Sequence, residues 1–161
     1  PPQSCELEGL VDSPMTADHD WSSIWMIFFT DSASSRAASS AHAKGIFFLN
    51  SKSGFYLSHS VPRFLDLKQK SFQYPDSGKE NGQVLICIAL TAKDTSSILN
   101  IGQHLLLLKT NVYSYNLTDA FTKKYPAFKD LIGKKWSKNQ TQISEIFSSK
   151  RWHRKMAFKC D

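Results

Sequence analysis

Four apolar runs of strand length, separated by polar and turn-forming residues, limit this chain most: Ile24–Phe29, Gly45–Leu49, Phe55–Leu57 and Gln83–Leu90. All are shorter than an ordinary buried helix. The first two carry no polar residue to mark a solvent face, so they read as strands buried on both sides. Asn50-Ser51-Lys52-Ser53-Gly54 predicts a hairpin with a five-residue connection. Pro62 ends the third strand because it has no ladder donor. Gln83–Leu90 is the longest apolar run and reads as a core strand. From Thr91 to Leu108 the period changes. Ile98, Ile101, Leu105 and Leu108 fall on one helical face, with Thr91 or Asp94 as the cap. Thr110–Leu117 reads as extended, and Thr118 caps a helix through Phe121 and Lys124. Pro126 interrupts it, and Phe128–Ile132 forms a further turn. Gln142–Phe158 reads as strand or short helices. Strands followed by helices predict an α/β or α+β domain, and the α/β reading is a mixed β-sheet flanked by helices.

A length of 161 residues fits one domain over 1–161. Residues 31–41 are Asp, Ser and Ala with one Arg, too small to anchor a core, and read as a mobile surface loop. Eleven Phe and a charged fraction of 21% argue against general disorder. No apolar run approaches the ~18 residues of a membrane span, so no membrane partner is expected. A net charge of +6 permits an acidic partner such as nucleic acid. Cys5, Cys87 and Cys160 lack zinc-ligand spacing and are too few for a disulfide scaffold. Two sequons, at Asn116 and Asn139, suit a secreted chain and are the expected glycosylation sites.

No phosphate-cradling glycine loop, nucleophile elbow or HExxH zinc motif is present. The candidate chemistry lies in histidines. His42-Ala43-Lys44-Gly45 directly precedes a buried strand, and His59 lies at the end of the next. If the two strands are hairpin partners, both imidazoles sit at the same end. In extended chain His42 and Lys44 point to one side. An ammonium can hold non-bridging phosphate oxygens while an imidazole acts as nucleophile or acid. On spacing alone, a surface His beside a surface Lys satisfies the same pattern. Arg63 and the basic cluster with Arg151, Arg154 and Lys155 are candidate DNA contacts.

The stretches His42-Ala43-Lys44-Gly45 and Gly54-Phe55-Tyr56-Leu57-Ser58-His59-Ser60-Val61-Pro62 resemble the deoxyribonuclease II family. So do Gly82-Gln83-Val84-Leu85-Ile86-Cys87 and Val112-Tyr113-Ser114-Tyr115. The resemblance implies a phospholipase D-like fold, built in the family from two halves that each supply one HxK motif. It implies a secreted or lysosomal endonuclease that cuts DNA at acid pH without metal or cofactor. One histidine forms a phosphohistidine and the other protonates the leaving oxygen. Carried over by residue, it implies His42 and Lys44 in catalysis, His59 orienting the site, and a Cys5–Cys87 disulfide that leaves Cys160 over. Asn50 stands where the family has an Asp six residues after the motif Lys, which puts control of the imidazole in question. The chain is similar to the family's first half only. His153-Arg154-Lys155 fits HxK formally but has no following glycine or buried strand. Three readings follow: a nuclease completed by a homodimer, a degenerate secreted relative that binds DNA or a host partner without cutting, or a binding module with no nucleic-acid role.

Overall fold

The computed structural model describes residues 21–31, 42–62, 76–80, 82–136, 143–147 and 155–159. Strands β1 (Ile24–Phe29), β2 (Lys44–Asn50), β3 (Ser53–His59) and β4 (Leu85–Thr91) precede helix α1 (Thr95–Leu107). Then come β5 (Val112–Asn116), α2 (Asp119–Lys124), α3 (Pro126–Ile132), β6 (Ile143–Phe147) and β7 (Lys155–Lys159). Five strands form one sheet in the order β4-β3-β2-β1-β5, and β6 and β7 pair as a separate antiparallel ribbon.

Every neighbouring pair in the large sheet is antiparallel, which corrects the expectation of a mixed sheet. The connection through α1 joins strands that run the same way, as a crossover should, but β4 and β5 lie at opposite edges with three strands between them. The turn between β2 and β3 is also tighter than expected. Leu49 pairs with Gly54, and only Ser51 and Lys52 lie outside the strands.

Side chains alternate across the sheet and build two cores. Ile27, Phe29, Phe47, Leu49, Tyr56, Ile88 and Leu90 meet Ile98, Ile101 and Leu105 of α1, Phe121 of α2, and Phe128 and Leu131 of α3. The opposite parity, Met26, Phe28, Ile46, Phe48, Phe55 and Leu57, forms a second buried cluster with Val61. The continuous apolar runs of β1 and β2 therefore reflect burial of both faces within an antiparallel sheet.

β4 departs from its reading as a core strand. It is an edge strand, and Val84, Leu85 and Ile86 are exposed. The helix caps follow the sequence: Asp94 accepts from Ser97 N at 3.0 Å and Thr118 from Phe121 N at 3.2 Å. Pro126 opens α3 at its first position, where its missing N–H breaks no helical bond. Among the described residues no helix is long and apolar enough to cross a membrane.

Candidate functional site

β2 opens with Lys44, whose side chain shares the face of Ile46 and Phe48. Gly45 follows because nothing larger fits. A methyl there would run into the Leu57 carbonyl oxygen and stand 2.6 Å from Phe29 Cζ. Cross-strand register places Lys44 directly opposite His59. β1 runs antiparallel on the other side and ends at Phe29, opposite Gly45, so the chain leaving β1 passes the start of β2. Asp31 sits there, and it is buried.

Asp31 is the residue that sequence reasoning missed. The composition of residues 31–41 reads as a surface loop, yet Asp31 at its start is buried and its carboxylate organises the site, while 32–41 lie outside the described residues. Its Oδ1 lies 2.8 Å and its Oδ2 2.9 Å from Lys44 Nζ, and both side chains are almost wholly buried. Oδ2 also pairs with His42 Nδ1. Lys44 Nζ lies 3.3 Å from His42 Nε2. These contacts form one consistent set. In the neutral ring, an Nδ1–H that donates to the carboxylate leaves the Nε2 lone pair to accept from the ammonium. The His42 side chain is 80% exposed, so the ring is reachable while its orientation is fixed from below. The signal available in the sequence was the register of β1 against β2, which brings an acid two residues past β1 beside the HxK motif.

His59 is held differently. Burial first, and then the charge of Lys44, push its pKa down to about 4, partly opposed by a backbone hydrogen bond at Val61 and the charge of Asp31. At pH 5 it is mainly neutral, so it is a poor proton donor there. Asn50 does not join the cluster. It ends β2, six residues and about 20 Å from Lys44. Its Oδ1 accepts from the backbone N–H groups of Lys52 and Ser53, both at 2.8 Å. It shapes the hairpin turn, a task an amide oxygen performs as well as a carboxylate. The expectation that it controls the imidazole is therefore corrected.

Cys87 is disulfide-bonded; Cys5 and Cys160 lie outside the described residues, and the expected Cys5–Cys87 pairing lies there with them. Asn116 is half-buried in β5 and donates its Nδ2, the atom a glycan would occupy, to the Ile24 carbonyl at 2.8 Å. Asn139, Arg63, Arg151 and Arg154 lie outside the described residues, and Lys155 begins β7. Among the described residues no group of three His, Cys, Asp or Glu side chains is placed to hold a metal.

A family model for deoxyribonuclease II matches residues 10–159. The chain is 33% identical over 101 residues to cell death-related nuclease 6 of Caenorhabditis elegans, covering 63% of this chain and 25% of that protein. It is 37% identical over 91 residues to plancitoxin-1 of Acanthaster planci, covering 56% and 25%. With deoxyribonuclease-2-alpha of Sus scrofa it shares 31% over 100 residues, covering 62% and 27%. The matches thus span about a quarter of the length of these relatives.

Proposed function

The chain belongs to the deoxyribonuclease II family, and from that premise we propose that it carries one half of a nuclease site that cleaves DNA phosphodiesters through a phosphohistidine on His42. The observation that carries this reading is the Asp31–His42–Lys44 cluster, with Nδ1 held by the carboxylate, an exposed imidazole and a buried ammonium beside Nε2. A non-bridging phosphate oxygen competes with Nε2 for the Lys44 proton. As phosphate docks, the ammonium turns to it and the Nε2 lone pair is freed to attack phosphorus. Asp31 then stabilises the imidazolium character that develops on His42. The P–N bond forms as the P–O bond to the leaving sugar breaks. Water later cleaves the P–N bond and regenerates the imidazole.

One imidazole cannot attack phosphorus and also protonate a leaving oxygen on the opposite side. His59, depressed to about 4, is not suited to supply that proton. The reading needs a second imidazole besides His42 and His59, and we propose that a second copy of this chain supplies it, with residues 1–161 acting as one phospholipase D-like half. Acid pH favours such a pair, because one imidazole must be protonated and the other neutral. No step requires a metal. Secretion, or delivery to the lysosome, is supported by the Cys87 disulfide.

The test is nicking of supercoiled plasmid at pH 5 in EDTA, across protein concentrations that span dimerisation. The expected result is activity per chain that rises with concentration and falls at least about 100-fold in His42→Ala. Nicking that survives the substitution overturns the assignment.

A further inference from the structure

The strongest unassigned feature lies away from the His42 cluster, on the α2–α3 hairpin. Residues 123–135 carry Lys123, Lys124, Lys129, Lys134 and Lys135 against one carboxylate, Asp130. All five lysines are exposed, and none forms an ion pair with a described residue. α3 is seven residues, about 10 Å, long. Lys123 and Lys124 lie just before its start, Lys129 lies within it, and Lys134 and Lys135 follow its end. The Lys124 ammonium lies 5.2 Å from the Tyr125 ring centroid. At the other end the chain folds back, with Lys135 N donating to the Asp130 carbonyl at 2.8 Å.

A second observation concerns the backbone. Lys134 has φ 52°, the left-handed conformation that usually selects glycine just past a helix, while the neighbouring Gly133 has an ordinary helical φ of −73°. The glycine stands one place before the position that needs it, and a lysine occupies the strained one.

We infer that the α2–α3 hairpin is an electrostatic docking surface for the DNA backbone, separate from the His42 cluster. Along one strand, phosphates recur every ~3.4 Å of helix axis, so a 10 Å helix flanked by ammonium groups spans about three. Such a surface holds duplex without reading sequence, because point charges contact phosphates and no base edge. It would add backbone affinity on the helix-covered face of the sheet, opposite the face that carries the Lys44 side chain. The inference rests on DNA being the substrate, as proposed above, and the experiment separates the two.

Binding of a fluorescein-labelled 24-base-pair duplex is measured by anisotropy over a KCl series, using the full chain carrying His42→Ala so that no cutting intervenes. Replacing all five lysines with Gln is expected to reduce the slope of log K against log salt by about 3 and to weaken binding at least tenfold in low salt. A control at exposed lysines elsewhere, Lys52, Lys79 and Lys93→Gln, removes three charges and is expected to lower the slope by less than one, a smaller loss per lysine than in the hairpin. The single change Lys134→Gly should raise the melting temperature and still weaken binding, an outcome a purely structural lysine does not give. An unchanged slope in the five-lysine variant, or an equal loss in the control, overturns the docking surface. Loss of nicking in His42→Ala alone would still stand, so failure of the surface and failure of the site are distinguishable.

Discussion

The two ends of β2 present the same parity and face of one strand, and they do opposite work. At one end Lys44 is buried against Asp31, with His42 and His59 beside it. At the other, Asn50 folds its side chain onto the backbone of the next turn. In sequence the two positions look like parts of one motif, because an even spacing keeps them in line. In space they are about 20 Å apart, since extended chain advances ~3.3 Å per residue. Shared parity fixes a face, while proximity depends on which other strand arrives at that end. β1 arrives beside Lys44 and brings Asp31.

The comparison predicts that damage at the Lys44 end is severe and damage at the Asn50 end is mild. Lys44→Met leaves the Asp31 carboxylate buried without its cation. Breaking a buried pair costs about 3–5 kcal/mol, and urea unfolding should register that loss together with loss of nicking. Asp31→Asn keeps the shape but removes the charge that fixes His42, so nicking should fall about 100-fold or more. A Gly45→Ala methyl meets the Leu57 carbonyl and the Phe29 ring, and overpacking there should cost about 1–3 kcal/mol.

The next effect is in pH. Folding depresses the His59 pKa from 6.5 to about 4, and burial does the same for His104. Above pH 6.5 both residues are neutral in the folded and unfolded chain and have no differential effect. As pH falls from 6.5 towards 4 the unfolded state takes up protons that the folded state refuses, so stability declines. Below 4 the loss is complete. Each fully shielded histidine would account for up to about 3 kcal/mol, and the part of His59 that solvent reaches makes its share smaller. His104→Gln should flatten the urea midpoint between pH 4 and 6.5 without altering nicking at a pH where both proteins are folded. A midpoint equally steep in the variant contradicts the assignment to His104.

The smallest effect belongs to Asn50. Asn50→Asp keeps an acceptor for Lys52 and Ser53, so stability should move by less than about 0.5 kcal/mol and nicking by less than twofold. Asn50→Ala should cost about 1 kcal/mol in unfolding and leave nicking alone. A large gain of activity in Asn50→Asp would put a carboxylate requirement back at the turn and break the comparison.

These contrasts also mark what the sequence made legible. β1, β2 and β3 followed from short apolar runs bounded by turn residues, and the α1 face with Ile98, Ile101 and Leu105 from helical periodicity. Asp94 and Thr118 followed from cap chemistry, because those signals are local. The antiparallel sheet did not, since a strand buried on both faces looks alike whichever way its neighbour runs. The exposure of Leu85 and Ile86 did not either, because an apolar run carries no mark of being at an edge. The HxK motif was visible, but Asp31 was hidden in a segment of Asp, Ser and Ala. Its role depends on a contact across thirteen residues that only strand register creates.

The proposed nucleophile is His42, oriented by Asp31. The direct measurement is covalent capture: a labelled duplex is mixed with the chain at pH 5 in EDTA, quenched in alkaline detergent to preserve phosphohistidine, and resolved on a denaturing gel. A protein–DNA adduct is expected in the wild type, a much weaker one in Asp31→Asn and none in His42→Ala. Cleavage without an adduct, or an adduct that persists in His42→Ala, contradicts it.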